Sequence, residues 1–172
     1  IQYKNGALMQ RHALSVQHAY LSNASGLLNF NHHEEVTLDF DRDPLIPFAL
    51  SNEGPAISIA DINGDSLDDI FIGGAKMQPS VLYVQNKEGQ FSKHQTELFN
   101  EHAKSEDVNQ LFFDADNDGD LDLLVVSGGN EFVSGDPLKP RMYFNESGRF
   151  RYEPNAFKGV SVNASVARAI DI

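Results

Sequence analysis

Two short acidic stretches of the chain carry the residue types and the spacing best suited to chemistry. They read DINGDSLDD, at positions 61–69, and DADNDGDLD, at positions 114–122. In the alignment of the two, oxygen-bearing side chains fall at loop positions 1, 3, 5 and 9, which are Asp61, Asn63, Asp65 and Asp69, then Asp114, Asp116, Asp118 and Asp122. Alternate residues of a tight turn aim their oxygens at one point, and the carbonyl at position 7, from Leu67 or Asp120, can join them. An oxygen-only shell suits Ca²⁺, so the sequence predicts two calcium sites.

Other interpretations of the two loops are weaker. Mg²⁺ usually keeps several waters, and transition metals generally prefer His or Cys ligands. An EF-hand needs Glu at loop position 12, where this chain has Ile72 and Val125. Plain Asp/Asn/Gly hairpin turns on an acidic surface remain the alternative, and the recurrence of the pattern at matching repeat positions counts against them.

Two further details of the loops lead to predictions. Gly119 at position 6 frees the backbone for the bend, whereas Ser66 at the same position of the first loop is expected to strain it. The side chains of Asp68 and Asp120 lie off the ligand pattern and are expected to face solvent. Because so many carboxylates would repel one another, a bound cation is expected to make each cluster tolerable and to hold the two flanking strands together.

The elements that must position these loops recur along the chain. Apolar, strand-like runs lead into Asp61, Asp114 and Asp171, which are 53 (114 − 61) and 57 (171 − 114) residues apart. After the first two loops come the short apolar strands DIFIGG and DLLVVSGG, and then VLYVQNKEGQF and RMYFNESGRF, each a strand, a turn and a Phe-led strand. Each repeat therefore reads as four antiparallel strands, the second lengthened by an insertion at 130–140 between its second and third strands.

A four-stranded unit of this size cannot bury both of its faces alone, so several must stack, as the blades of a propeller do. The predicted fold is all-β, a β-propeller portion of about two full blades plus the start of a third. We place blade 1 at 56–107, blade 2 at 108–160 and the start of blade 3 at 161–172. The chain is expected to be a truncated propeller from a longer processed protein, or a short chain that completes a ring as an oligomer.

The first 55 residues differ in character from the repeats. Residues 1–25 combine an Asn-Gly turn with modest alternation, which favours a hairpin and leaves a short amphipathic helix at 7–18 as the alternative. Residues 26–55 include Pro44, Pro47 and Pro55, which deny regular hydrogen bonding, so this stretch is predicted to be an extended segment that covers a blade.

Composition narrows the classes of function. The chain has 13 basic and 25 acidic residues, a formal net charge of -12, which argues against nucleic-acid and anionic-membrane surfaces and allows a cation-binding one. It has no cysteine, which excludes disulfides, thiolate catalysis and cysteine-zinc sites. No apolar run is long enough for direct insertion into a membrane.

The loops and the strands that follow them resemble FG-GAP/VCBS repeats, the blades of integrin-α-type β-propellers, over about residues 50–172. The segment from Phe30 to Asp65 is further similar to the propeller entry of large bacterial VCBS proteins of the Bacteroidetes surface type. Residues 1–25 are weakly similar to the end of the ASPIC/UnbV module that accompanies such propellers. The resemblance implies a secreted or cell-surface, calcium-stabilised propeller that binds a protein or glycan, with no catalytic residues.

A second hypothesis makes the chain part of a polysaccharide-active lyase or hydrolase with a calcium-binding propeller. It rests on carboxylates and basic residues outside the loops, namely Glu34, Glu35, Glu131, Arg42 and Arg141. The stretch NHHEE at 31–35 has residue types that could hold a transition metal or act as a general acid/base pair. Adjacent residues of an extended chain point to opposite faces, however, so a solvated loop is favoured there.

Overall fold

The described part of the chain is built mainly of eight strands, joined by loops and short helical segments. The structure, a computed structural model, describes residues 26–34, 39, 44, 45, 47, 54–129 and 132–170. The strands are β1 (Ile57–Ala60), β2 (Asp69–Ile72), β3 (Val81–Gln85), β4 (Phe91–His94), β5 (Asp107–Phe113), β6 (Asp122–Ser127), β7 (Arg141–Glu146) and β8 (Arg149–Glu153). Helix α1 (Thr96–Asn100) follows β4, and a 3-10 helix (Asp136–Leu138) lies between β6 and β7.

The strands form two four-stranded antiparallel sheets, with the orders β1-β2-β3-β4 and β5-β6-β7-β8. The two sheets have the same internal register, because Ile70 pairs with Tyr83 in the first and Leu123 pairs with Tyr143 in the second. The predicted all-β fold of four-stranded blades is therefore confirmed, and the insertion falls between β6 and β7 as expected.

An apolar core joins the two sheets. Phe71 and Leu82 of the first sheet pack in one buried cluster with Leu123, Val125 and Tyr143 of the second. Helix α1, which the sequence did not predict, adds Phe99, whose ring centroid lies 5.3 Å from that of Phe71 and 5.4 Å from that of Tyr143. Because every strand side chain alternates between faces, this core uses one face of each sheet.

The opposite face of the first sheet carries a second, smaller cluster. Ile72 and Tyr83 are buried there, and Leu28 and Phe30 of the preceding segment pack against them. The Tyr83 hydroxyl donates a hydrogen bond to the Asn29 carbonyl at 2.7 Å. Leu28, Asn29 and Phe30 of the predicted covering segment thus contact this sheet, whereas the alternatives for residues 1–25 fall outside the described residues.

The Gly-Gly pairs that follow β2 and β6 allow close approach of neighbouring backbone. A Cβ on Gly74 would lie 2.0 Å from the Gln78 carbonyl oxygen, and one on Gly128 would lie 2.8 Å from that of Ala164. The Ala164 N–H donates to the Ser127 carbonyl at 3.0 Å, just as the Asp107 N–H donates to that of Gly74 at 2.9 Å. Residues 164–170 thus begin beside β6 as β5 begins beside β2, although the structure assigns them no strand, and position 171 lies outside the described residues.

Candidate metal centre

Each acidic loop closes an antiparallel hairpin. Ala60 pairs with Asp69 across the first loop, and Phe113 pairs with Asp122 across the second, so position 9 of each loop is already the first residue of a strand. Both loops bend through two left-handed residues, at positions 4 and 6. These are Gly64 (φ 76°) and Ser66 (φ 68°) in the first loop, and Asn117 (φ 65°) and Gly119 (φ 96°) in the second.

The two loops thus follow the same backbone path. Each has a single glycine, which lies at position 4 in the first loop and at position 6 in the second. Asn adopts the left-handed conformation more readily than most residues, because its short side chain can bond to the local backbone. Ser has no such advantage, so Ser66 carries the strain that the sequence predicted at position 6 of the first loop.

The carboxylate at position 1 organises each bend. Asp61 accepts the N–H groups of Gly64 at 2.8 Å and Ser66 at 2.8 Å. In the second loop Asp114 accepts those of Asn117 at 2.7 Å and Gly119 at 3.0 Å. Desolvation by itself would raise the pKa of Asp61, but the hydrogen bonds from the loop backbone outweigh it and lower that pKa.

The side chains at positions 3 and 5 each accept the N–H two residues further along the loop. Asn63 accepts from Asp65 at 3.0 Å, and Asp65 accepts from Leu67 at 2.9 Å. Asp116 and Asp118 make the corresponding bonds, to the N–H groups of Asp118 and Asp120, at 3.3 and 2.8 Å. These are Asx turns, in which each side chain bonds to the loop backbone two residues on.

The carboxylate at position 9 has a structural role that the sequence reasoning missed. Asp69 and Asp122 are both fully buried. Asp69 accepts the N–H groups of Ile62 at 3.2 Å and Gln85 at 2.8 Å, so it ties the loop to strand β3. Burial raises the pKa of both Asp69 and Asp122, and the other carboxylates of each loop add to the rise. The sequence did contain one indication of this role, the position of the residue. A carboxylate at the start of an apolar strand becomes buried, and a buried carboxylate needs hydrogen-bond donors.

The second loop brings three of its predicted ligands together. Carboxylate oxygens of Asp114, Asp116 and Asp122 all lie within 4.8 Å of one another, whereas Asp118 is not in that group. Three convergent carboxylates with further oxygens nearby fit a hard divalent cation such as Ca²⁺. The first loop has the amide oxygen of Asn63 where the second has a carboxylate, and the ligand roles of the Leu67 and Asp120 carbonyls stay predictions.

The Asp120 side chain, expected to face solvent, is half-buried and also makes a contact that the sequence did not predict. Its Oδ2 accepts the N–H of Ser147 at 2.6 Å, which links the second loop to the turn between β7 and β8. The other side chain expected in solvent, that of Asp68, is exposed.

The residues of the lyase or hydrolase hypothesis do not form a site among the described residues. Arg141 is buried, and its guanidinium donates to Asp107 and to the Ser127 hydroxyl, the latter at 2.9 Å. Glu34 pairs with His32, and both are partly buried, so this stretch is less solvated than expected. Residues 35, 42 and 131 lie outside the described part of the chain.

Within the described residues, no helix combines the length and the apolar character needed to cross a membrane.

The curated proteins and the solved structures gave no significant match to this chain. A family model described as FG-GAP-like repeat matches residues 61–125, a stretch that starts at position 1 of the first loop and ends inside β6. The repeated blade, the two acidic loops and this match together support an FG-GAP repeat protein.

Proposed function

We propose that this chain is a calcium-stabilised β-propeller module of a secreted or cell-surface protein, and that it binds a protein or glycan partner. The observation that carries the proposal is the convergence of Asp114, Asp116 and Asp122 within a stretch that matches an FG-GAP-like repeat. FG-GAP-like repeats often bind calcium and are typical of extracellular proteins, which supports both the ion and the location.

Calcium would serve structure in this module. The residues that would hold it are Asp114, Asp116 and Asp122 in the second loop, and Asp61 and Asn63 with their neighbours in the first. A bound cation would offset the repulsion among carboxylates that otherwise lie close together, and it would strengthen the closure of each hairpin. Two cations would leave the loop edge of the blades less negative, in a chain whose formal net charge is -12.

The binding role rests on the family's architecture and on the surface that the blades offer. Loops on a rigid sheet scaffold commonly carry recognition residues, because they vary without disturbing the core.

Titration calorimetry of the cation-free protein tests the proposed calcium binding. The expected result is two Ca²⁺ bound per chain, and no heat of binding would contradict the proposal.

A glycan array and a panel of extracellular-matrix proteins, probed in Ca²⁺ and again in EDTA, test the proposed partner binding. Binding that depends on Ca²⁺ would support the proposal. Turnover of a polysaccharide by the purified chain would instead favour an enzyme.

A further inference from the structure

Asn145, on strand β7, lies between the two acidic loops and contacts both. It is 1% exposed. Its Nδ2 donates to the carbonyl of Ile62 in the first loop at 2.8 Å and to that of Leu121 in the second at 3.1 Å. Its own backbone N–H donates to Oδ1 of Asp122 at 2.8 Å.

The turn that follows Asn145 is also held between the loops. The Asn145 Oδ1 accepts the N–H of Gly148 at 2.8 Å, which fixes the turn to the same amide. Gly148 lies so close to the first loop that an added Cβ would be 2.8 Å from the Cβ of Asn63. On the other side, the Ser147 N–H donates to Asp120 of the second loop.

The first sheet shows what is particular to Asn145. Gln85 occupies the equivalent place on β3, and its backbone N–H donates to Asp69 as that of Asn145 donates to Asp122. The backbone contact is therefore common to both blades, whereas the side-chain amide of Asn145 reaches across the blade boundary to Ile62. A buried amide that uses both of its donors and its acceptor holds its neighbours in one arrangement.

We propose that Asn145 is a positioning residue that couples the two acidic loops, so that a divalent cation bound at one loop raises the affinity of the other. The inference rests on the proposed calcium role. One arrangement of Asn145 satisfies Ile62 of the first loop and Leu121 and Asp122 of the second. A cation that orders one loop favours that arrangement of Asn145. The second cation then binds a protein in which the amide is already ordered, so less conformational free energy opposes its binding.

The test uses the whole chain labelled with ¹⁵N-glycine. The amide of Gly64 reports on the first loop and that of Gly119 on the second, because each donates to the position-1 carboxylate of its own loop. Calcium titrations compare the wild-type protein with Asp61→Asn/Asp65→Asn, in which the first loop is disabled. Half-saturation at Gly119 is expected to need about 5-fold more Ca²⁺ in that variant, the lower end of typical coupling between sites.

A second comparison assigns the coupling to the amide. Asn145→Asp keeps the size of the side chain but loses both donors, and Asn86→Asp, in the exposed turn after β3, is the matched control. The 5-fold difference is expected to vanish in Asn145→Asp and to persist in Asn86→Asp.

Three outcomes would overturn the inference. Equal half-saturation at Gly119 with and without a working first loop refutes the coupling and leaves the calcium role standing, and this comparison does not need Asn145→Asp to fold. Coupling that persists in a folded Asn145→Asp refutes the role of the amide. No response of either glycine to Ca²⁺ refutes the proposed function itself.

Discussion

Oδ2 of Asp122 accepts the N–H of Ala115 at 2.8 Å, so the last residue of the second acidic loop closes on its second residue. Asp69 and Ile62 make the same contact in the first loop. The other oxygen of each carboxylate accepts an N–H from the third strand of its sheet. Position 9 is therefore a clamp between a loop and two strands.

Removal of the clamp should destabilise the fold. Asp122→Ala leaves the partly buried N–H of Ala115 and the buried N–H of Asn145 without their acceptor, and hydrogen bonds to charged groups typically contribute about 1.5–3 kcal/mol each. Because burial of the charge offsets part of this, we expect a loss of about 3 kcal/mol in the free energy of unfolding in EDTA, measured by urea titration. Asp68→Ala, at an exposed site, should change it by less than about 0.5 kcal/mol.

Relief of the strain at Ser66 should stabilise the protein. Ser66 has φ 68°, and glycine adopts that conformation without the steric penalty of a Cβ, so we expect Ser66→Gly to raise the free energy of unfolding by about 1 kcal/mol. The control is Ser92→Gly in strand β4, where added flexibility should lower it. Destabilisation by Ser66→Gly would show that the Ser66 side chain makes a contribution larger than the strain.

Substitutions at two glycines separate the effect of close packing on stability from the effect of backbone conformation. Gly74→Ala would place a Cβ 2.0 Å from the Gln78 carbonyl oxygen in a buried turn, so we expect a loss of about 3 kcal/mol or more. Gly64→Ala meets no atom within 4 Å and has φ 76°, so it should cost only the conformational term, about 1 kcal/mol. Thermal unfolding of both variants in EDTA measures the difference, and equal losses would contradict the packing argument.

Acidification should destabilise the protein through His102. Burial lowers the pKa of His102 below its ordinary value of 6.5, and the nearby charge of Arg141 lowers it further. The unfolded chain then binds this proton more readily, so the contribution of His102 to stability is full above about pH 6.5 and falls as the pH drops toward the folded-state pKa. The free energy of unfolding, measured by urea titration, should fall less between pH 7 and pH 5.5 in His102→Phe than in the wild-type protein. The control His33→Gln, at an exposed site, should show the wild-type fall.

The repeats made the blades predictable from sequence, because four short strands with matching turns recur around Asp61 and Asp114. Helix α1 was missed because five residues at 96–100 are too few for a visible period, and it is the packing of Phe99 between the sheets that stabilises it. The clamp role of Asp69 and Asp122 was missed for a different reason. One donor to each carboxylate lies on strand β3 or β7, and that contact depends on sheet register, which spacing within the loop does not reveal.

The central claim is that cations stabilise the blades through the acidic loops, and the thermal unfolding midpoint in EDTA, with Ca²⁺ or Mg²⁺ then added back, tests it most directly. A ligand at about 100 times its Kd stabilises a fold by roughly 2.7 kcal/mol, so a clear rise in the midpoint with Ca²⁺ is expected, with a smaller one for Mg²⁺. The rise should be largely lost in Asp61→Ala/Asp116→Ala and retained in Asp136→Ala, which removes an exposed carboxylate outside the loops. A midpoint that Ca²⁺ leaves unchanged would show that the loops are ordinary acidic turns closed by their own backbone.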